Sequence, residues 1–185
     1  MEIVDAGLDG AKLIKPRVHG DERGFFLESF RADALAGAGI DTAFVQDNHS
    51  RSSYGILRGM HFQPGQVKLV RCARGAIFDA IVDIRVGSPT FGQWDGYELN
   101  DETNHQLLVP DGFAHGFCVL SELADVTYKV SSYYDPTTER GFRFDDPAVG
   151  IEWPIAADRL IASARDVNSP TLAEIRPSLS FTYVA

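Results

Sequence analysis

The sequence predicts an all-β protein, organised as a sandwich, a jelly roll or a barrel. Short strand candidates recur along the chain and are separated by Gly, Pro, Asp and Asn, a pattern typical of these folds. Helical patterning is confined to RADALAGAGI (31–40) and to TLAEIRP (171–177). The sequence does not show the alternation of strands with long helices that characterises a doubly wound α/β sheet.

Length and composition predict one compact unit. The 185 residues are enough for a single domain with a hydrophobic core, and we expect that domain to span 1–185. No apolar run approaches the ~20 residues that cross a bilayer, and MEIVDAGLDGAKL lacks the apolar core of a signal peptide. We therefore expect a cytoplasmic protein that does not bind membranes.

The charge and the cysteines narrow the possible partners. The formal net charge is −9, so the overall field repels nucleic acid and anionic membranes. An anionic ligand would therefore need a local cationic pocket. Cys72 and Cys118 are far apart and do not form a C-x-x-C pair, which favours two small buried hydrophobic residues over a disulfide or a metal pair.

Two segments in the first half of the chain carry strand patterns. LRGMHFQPGQVKLVR (57–71) reads as a half-buried strand, while AIFDAIVDIRV (76–86) alternates between two faces, and this period of two predicts a strand. Asp79 and Asp83 fall on one face. The other face carries the apolar residues Phe78, Ala80, Val82 and Ile84.

Turn signals in GSPTFGQW (87–94) end this strand, and shorter candidates follow. These candidates are WDGYEL (94–99), HQLLVP (105–110), GFCVL (116–120), DVTYKVSSYY (125–134) and GFRF (141–144). Near the N-terminus, DERGFFLESF (21–30) is strand-like. It is compatible with a strand that crosses to a partner sheet and with an edge strand of a monomer.

His61 is the first candidate for chemistry, because it stands between the cations Arg58 and Lys68 in one short run. A histidine titrates near neutral pH, so it can take up a proton and return it. In the functional interpretation, His61 is a base that lies beside two cations able to bind negative charge. Taken alone, His61 is better explained as a partly buried strand histidine bonded to the backbone.

Other segments add further candidates. In PDGFAHGF (110–117) the glycines beside His115 suggest a bulge or a close backbone approach, although this histidine could simply bond a loop carbonyl. Tyr128 and Tyr134 have even spacing and would share a face of an unbroken strand, whereas Tyr133 reads as a packing residue. SARDVNSP (163–170) places Arg165 and Asp166 in a turn-like setting.

Metal and nucleophile chemistry have little support in the sequence. The five histidines are scattered, with no H-x-H, and an all-protein metal site needs three or more ligands. G-x-S-x-G, phosphate-loop and dinucleotide fingerprints are missing. We therefore expect neither a metal nor another cofactor. A metal-dependent cupin remains the competing enzyme class, and metal analysis would distinguish it.

Taken together, these segments resemble the dTDP-4-dehydrorhamnose 3,5-epimerase family. The matching segments, in family order, are DERGFF (21–26), FVQDNHS (44–50), LRGMHFQ (57–63), QVKLVR (66–71), VDIR and SPTFG (82–92), PDGFAHGF (110–117), YK and YYDP (128–136), GIEWP (150–154) and SARD (163–166). The resemblance implies a cupin-like jelly-roll barrel with a few short peripheral helices. It also implies epimerisation at C3, C5 or both of a dTDP-linked 4-keto-6-deoxy sugar.

The resemblance implies four catalytic roles. His61 matches the family's base, and Asp166 matches the carboxylate that pairs with it. Tyr128 matches the general acid on the opposite face of the sugar, and Lys68 matches the cation near the C4 carbonyl oxygen. These roles suit the chemistry, because epimerisation next to a ketone needs a base, an opposing acid and a stabilised enolate.

The resemblance also implies binding residues. Arg58 and His115 match residues around the sugar and the diphosphate, and Tyr134 matches an aromatic residue that stacks on thymine, with Glu139 nearby. The residues matching a nucleotide-contacting segment are Gln46, Asp47 and Asn48. A homodimer is implied, in which Arg23 and Glu28, together with Phe26, reach the site from the other subunit.

Two departures from the family pattern leave the substrate open. Only PGQV separates Gln63 from Lys68, where the family often has a longer connection, and Arg165 stands where many members have lysine. Arginine keeps the charge but presents a planar fork, so its contact with a phosphate or carbonyl would differ. A single-carbon epimerase of a related deoxysugar and a non-catalytic sugar-nucleotide binder remain alternatives.

Overall fold

Two antiparallel sheets pack face to face and enclose the interior of a jelly-roll barrel. The computed structural model describes residues 1–184. The first sheet contains, in spatial order, β1 (Glu2–Asp5), β2 (Lys12–Lys15), β10 (Gln106–Val109), β7 (Lys68–Arg74), β12 (Leu123–Val130) and β5 (Gln46–Ser53). The second contains β13 (Arg140–Gly141), β6 (Leu57–Phe62), β11 (Phe113–Val119), β8 (Ala76–Asp83) and β9 (Trp94–Asn100). The predicted all-β class is confirmed.

A separate hairpin and a few short helices complete the fold. Within the described part of the chain, β3 (Val18–Asp21) and β4 (Gly24–Leu27) pair only with each other. The helices are α1 (Ala32–Gly37), α2 (Ala164–Val167) and α3 (Leu172–Ile175), with 3-10 turns at Ala157–Arg159 and Arg176–Ser178. Both predicted helical segments are confirmed. Within residues 1–184, no helix has the length and apolar character needed to cross a membrane.

The alternation predicted for β8 is confirmed, and both of its faces are covered. Ile77 and Ile81 lie in the core between the sheets, on the same face as Asp79 and Asp83, which are fully buried. The opposite face packs under the C-terminal segment, in a cluster that includes Val82. The aspartates therefore lie inside the barrel and must find buried partners there.

The run 57–71 is not one strand, so that prediction is wrong. β6 ends at Phe62 and β7 begins at Lys68, and these two strands belong to different sheets. The five residues between them form a turn, in which the Gln66 N–H donates to the Gln63 carbonyl over 3.1 Å. His61 and Lys68 consequently approach the interior from opposite walls.

One predicted strand ends earlier than expected, and three strands of the structure were not predicted. β12 stops at Val130, so Tyr134 follows in a loop and does not share a strand face with Tyr128. β1, β2 and β5 lie in stretches for which no strand was predicted. β5 has the polar sequence QDNHSRSS and pairs along its whole length with β12, from Gln46↔Val130 to Ser53↔Leu123.

β6 and β11 approach each other unusually closely beside the interior. Their register shifts between His115 and Phe117, as the glycines in that segment predicted. A Cβ atom on Gly116 would lie 2.7 Å from Met60 Sδ and 2.9 Å from the Arg58 carbonyl oxygen. Only glycine allows this approach, which sets how two strands that carry site residues pack together.

We expect Gly116→Ala to lower the free energy of unfolding by about 2 kcal/mol, because backbone or core atoms must move to admit the methyl group. Gly37→Ala is the matched control, since a Cβ there would meet nothing within 4 Å, and at this helix position alanine should be neutral or stabilising by about 0.5–1 kcal/mol. Urea unfolding at one protein concentration measures both. Equal stabilities for the two variants would contradict the packing argument.

Candidate active site

A cavity of about 520 Å³ opens between the two sheets and is bordered by the C-terminal segment. Of the predicted site residues, the structure brings ten together around it. They are Asn48, Arg58, His61, Lys68, His115, Tyr128, Tyr134, Glu139, Arg165 and Asp166. They come from five strands and two later segments, so the fold assembles the cavity from residues that are widely separated in sequence.

His61 forms a hydrogen-bonded pair with Asp166. The His61 Nε2 and Asp166 Oδ1 atoms are 2.7 Å apart, with the carboxylate buried and the imidazole partly open to the cavity. A turn was predicted for Asp166, but the residue lies in the short helix α2. Ser163 caps the start of this helix by accepting a 3.1 Å hydrogen bond from the Asp166 N–H. This cap fixes the backbone that carries the carboxylate.

The hydrogen bonds hold Asp166 in its charged form. Burial alone raises the pKa of this carboxyl, but the bond to His61 and the further bonds from Ser163 and the Gly59 backbone outweigh it, so the pKa falls below its usual range. A charged partner at 2.7 Å orients the ring and stabilises the imidazolium that forms when His61 accepts a proton at its other nitrogen.

Lys68 is the cation of the opposite wall. Its Nζ atom lies 3.4 Å from the carbonyl oxygen of His61, and no carboxylate within residues 1–184 lies within 4.0 Å of it. Burial lowers the pKa of Lys68 to about 8, while the negative charges of Glu139 and Asp79 act in the opposite direction. The ammonium is thus desolvated and available to an anionic atom in the cavity.

Tyr128 lies on β12, in the sheet that faces His61. Burial raises the pKa of its phenol, and the negative charge of Glu139 adds to this effect, while Arg58 and a hydrogen bond with Asn48 act the other way. The phenol therefore keeps its proton at neutral pH. A proton donor on one wall and a histidine on the other can act on opposite faces of one bound molecule.

A second histidine pair lies deeper in the barrel. His115 Nε2 is 3.0 and 2.9 Å from the two carboxylate oxygens of Asp79, and both side chains are buried. His115 therefore bonds a carboxylate and not a loop carbonyl. Asp79 was not predicted as a site residue, although its position inside an otherwise apolar strand was the signal that it needs a buried partner.

Cations and an aromatic ring form the rim. Arg58 donates to the neutral hydroxyl of Ser52 over 3.2 and 3.1 Å, so that contact leaves its charge uncompensated. Arg165 Nη1 donates to Glu139 Oε2 over 2.7 Å, and the Tyr134 hydroxyl donates to the same oxygen over 3.3 Å. Glu139 therefore holds an arginine and an aromatic ring side by side.

The alternation of β5 divides the predicted contact segment. Asn48 lines the cavity, and Gln46, on the same face, accepts a 3.1 Å bond from the Tyr134 N–H. Asp47 points to the outer face, where it pairs with Lys129 Nζ at 2.9 Å. The prediction that Asp47 contacts the ligand together with its two neighbours therefore does not fit the cavity of a single chain.

The structure places Arg23, Phe26 and Glu28 away from the cavity. Arg23 lies at the tip of the hairpin formed by β3 and β4 and pairs with Asp21. Phe26 is 69% exposed, and Glu28 lies 3.6 Å from Arg31. Within one chain these residues do not join the site.

The cavity also contains residues that were not predicted. Ser50 and Gln66 line it, and the buried Ser50 hydroxyl has no hydrogen-bond partner among residues 1–184. Such a group is available to a ligand hydroxyl or oxyanion. The sequence signal for Ser50 was its even spacing from Gln46 and Asn48, which becomes informative once β5 is known to be a strand.

The described part of the chain contains no group of three or more His, Cys, Asp or Glu side chains that could hold a metal ion. What the cavity offers is a paired imidazole, a phenol on the facing wall and a desolvated ammonium. This arrangement suits the removal of a proton from a carbon next to a carbonyl group, with the cation facing the oxygen that becomes negative.

The comparisons with known proteins agree on one family. A family model described as dTDP-4-dehydrorhamnose 3,5-epimerase matches residues 5–174. The dTDP-4-dehydrorhamnose 3,5-epimerase of Neisseria gonorrhoeae is 48% identical over 180 residues, and this match covers 96% of the present chain and 55% of that relative. The chain therefore spans little more than half the length of this relative.

Solved structures extend the agreement to the fold. A dTDP-6-deoxy-D-glucose-3,5-epimerase from Legionella pneumophila, in complex with dTDP-4-keto-L-rhamnose, has a TM-score of 0.95 and 45% identity, with 100% of this chain and 99% of that chain covered. A 4-keto-6-deoxy sugar epimerase from the novobiocin biosynthetic gene cluster of Streptomyces spheroides has a TM-score of 0.94 and 40% identity, with coverages of 99% and 94%.

The matched range 5–174 includes the paired histidine, the facing phenol and the buried lysine. The fold, the site and the sequence lead to one conclusion: this chain belongs to the dTDP-4-dehydrorhamnose 3,5-epimerase family.

Proposed function

We propose that the protein epimerises C3, C5 or both in a dTDP-linked 4-keto-6-deoxyhexose, by proton abstraction next to the C4 ketone. The observation that carries this proposal is the His61–Asp166 pair at 2.7 Å facing Tyr128 across a cavity that also contains Lys68. The substrate class rests on the relatives, one of which was solved with dTDP-4-keto-L-rhamnose. The conversion is that of dTDP-4-dehydro-6-deoxyglucose to dTDP-4-dehydro-L-rhamnose.

His61 is the proposed base. The carbon next to the ketone loses its proton to the imidazole, and the electron pair moves into the C4 carbonyl to give an enolate. Asp166 stays ionised beside the imidazolium, because its pKa is held low by hydrogen bonds, and so stabilises the charge that forms. A base and its orienting carboxylate are the pair that this step needs.

Lys68 is the proposed partner of the enolate oxygen. A fixed cation in a site that excludes water stabilises a developing oxyanion far more than the same cation does in bulk solvent. Burial lowers the pKa of Lys68 to about 8, because the ammonium has lost part of its hydration. The ligand's oxyanion would restore the missing interaction, so stabilisation is greatest when the negative charge is present.

Tyr128 is the proposed acid that completes the inversion. It lies on the wall facing His61, and burial keeps its phenol protonated. Delivery of its proton to the carbanionic carbon from the face opposite to His61 inverts that centre. These steps use side chains of the chain alone, and the proposal includes no cofactor or metal.

The rim suits the nucleotide diphosphate. Arg58 and Arg165 supply positive charge beside the cavity, and charged hydrogen bonds to phosphate are among the strongest available. Tyr134 is the proposed platform for thymine, with Gln46 and Asn48 beside it and Glu139 holding its hydroxyl. A local cationic rim thus explains how a chain with net charge −9 holds an anionic ligand.

We further propose a homodimer in which the hairpin of β3 and β4 reaches the partner's site. All four residues of β3 are exposed, and Phe25 and Phe26 of β4 are 59% and 69% exposed. A hairpin with two exposed phenylalanines and no further sheet partner among residues 1–184 suits a contact surface better than a free element. It would deliver Arg23 to the diphosphate, with Glu28 beside it.

A cytoplasmic location is part of the proposal. Cys72 and Cys118 are both buried and unpaired, as predicted, and burial raises the pKa of each thiol to about 12. Unpaired buried cysteines suit a reducing compartment.

Incubation with dTDP-4-keto-6-deoxyglucose in heavy water, followed by NMR, tests the proposed reaction. We expect deuterium at C3 and C5, and loss of that exchange in His61→Ala, because the other histidine that lines the cavity, His115, is paired with Asp79 instead. dTDP binding, measured by calorimetry, should survive in this variant.

Exchange at one carbon alone would identify a single-carbon epimerase, the alternative suggested by the relative from an antibiotic gene cluster. Binding of dTDP without exchange at either carbon would identify a non-catalytic binder and defeat the proposal. Turnover retained by the His61→Ala variant would show that His61 is not the base.

The alkaline limb of kcat/KM tests Lys68. The ammonium form is the active one, and its pKa is lowered to about 8, so kcat/KM should be high below this pH and fall as the pH rises through it. An ordinary lysine would lose its proton only near 10.4. Lys68→Arg keeps its charge over this range, so this slower variant should show no fall near pH 8. A limb that persists there in Lys68→Arg would assign it to another group.

Complementation tests the shared site. We expect Arg23→Ala and His61→Ala to be inactive or strongly impaired as homodimers, whereas the heterodimer should contain one site with both residues intact. Co-expression with two different affinity tags isolates that heterodimer, and its activity per dimer should be about half that of the wild type, since one of two sites works. A heterodimer no more active than its parents would show that Arg23 does not act across the interface.

A further inference from the structure

The loop that carries Tyr134 is held by two glutamine side chains. The Tyr133 carbonyl accepts from Gln63 Nε2 over 2.9 Å, and the Asp135 N–H donates to Gln63 Oε1 over 2.9 Å. Between them, the Tyr134 N–H donates to Gln46 Oε1 over 3.1 Å. Three consecutive backbone groups around Tyr134 are therefore bound by side chains, at a point where β12 has already ended.

Gln63 is well suited to hold a neighbouring segment in place. It is 6% exposed, and its Nε2 also donates to Ser132 Oγ over 3.1 Å. It follows β6 directly and stands two residues after His61. A side-chain amide offers a donor and an acceptor about 2 Å apart on one planar group, and this is what the Tyr133 carbonyl and the Asp135 N–H require.

The rest of the turn after β6 makes contacts to the same loop. Gln66 Nε2 donates to the Ser132 carbonyl over 3.2 Å. The Val67 N–H donates to Ser131 Oγ over 2.8 Å, and the Ser131 N–H donates back to the Val67 carbonyl over 3.0 Å. The short connection between His61 and Lys68 is thus hydrogen-bonded along its length to the loop that leads to Tyr134.

Tyr134 itself has little packing to hold it. The residue is 52% exposed, and among the described residues its hydroxyl reaches only Glu139, over 3.3 Å. A ring that must be ordered when a ligand arrives costs binding free energy, whereas a ring placed in advance does not. The backbone bonds to Gln63 and Gln46 supply that placement.

We propose that Gln63 is a positioning residue that presets Tyr134 for the nucleotide base and so determines affinity for the nucleotide without taking part in proton transfer. This inference rests on the proposed function, in which Tyr134 is the platform for thymine. It assigns the turn after β6 a role in ligand recognition, through contacts that lie outside the reacting centre.

The test compares dTDP binding with turnover. Gln63→Met keeps the length of the side chain but removes its donor and its acceptor, and we expect the Kd for dTDP to rise about tenfold, within the range that loss of a base stacked on an aromatic ring produces. The KM should rise in parallel. The kcat at saturating substrate should stay within about threefold of the wild type, because the His61–Asp166 pair is untouched.

A double-mutant cycle separates positioning from a general structural effect. If Gln63 acts through Tyr134, adding Gln63→Met to Tyr134→Ala should weaken dTDP binding less than about twofold further. Gln93→Met is the control for the substitution itself, since Gln93 is exposed and lies away from this loop, and its Kd should equal that of the wild type. Should Gln63→Met fail to fold, Gln63→Glu keeps the acceptor and removes the donor, and it should also weaken dTDP binding.

Three results would overturn the inference: an unchanged Kd in folded Gln63→Met or Gln63→Glu, a penalty that persists in full without Tyr134, or a kcat that falls as far as the affinity. The proposed function fails separately. A wild-type protein that does not bind dTDP would defeat both, whereas a weakened Tyr134→Ala beside an unaffected Gln63→Met would defeat only the positioning role.

Discussion

The hydrogen bond between His61 and Asp166 joins parts of the chain that are 105 residues apart. One partner lies on a barrel strand, and the other lies in a short capped helix of the C-terminal segment. That segment also covers the outer face of the second sheet through a separate apolar cluster. Packing on the outside of the barrel thereby places the carboxylate against the imidazole inside it, so the proposed chemistry depends on the correct packing of a segment that contributes no long strand.

Much of the fold was predictable because a strand that packs against the core shows a clear alternation of residue types in its sequence. β8 was recognised from its alternation, and the Gly-rich segment around His115 from its glycines. β5 was missed because its inward face is polar, with Asn48 and Ser50 where a core strand would carry apolar residues. A strand with a polar inward face looks like a loop when hydrophobicity is the only guide.

The sequence predicted which residues surround the cavity better than it predicted how their side chains are arranged. Motif resemblance named the histidine, the tyrosine and the lysine, but it could not separate Asp47 from its neighbours, because the side of a strand becomes known only with its register. The break between Gln63 and Lys68 does carry a turn signal, the Pro64–Gly65 pair, but the strand-like residues on both sides of it led to one strand being predicted across the run. Asp79 needed the buried interior to be known before its pairing with His115 could be inferred.

The two faces of β5 make different contacts. Gln46, Asn48 and Ser50 face the interior, while the outward residues pair with charges on β12, as Asp47 does with Lys129 and Arg51 with Asp125. Because adjacent residues of a strand point to opposite faces of the sheet, the inward positions can change while the outward ion pairs remain. Substrate preference can therefore drift, in evolution or by design, through every second residue of a single strand, with the architecture around it left intact.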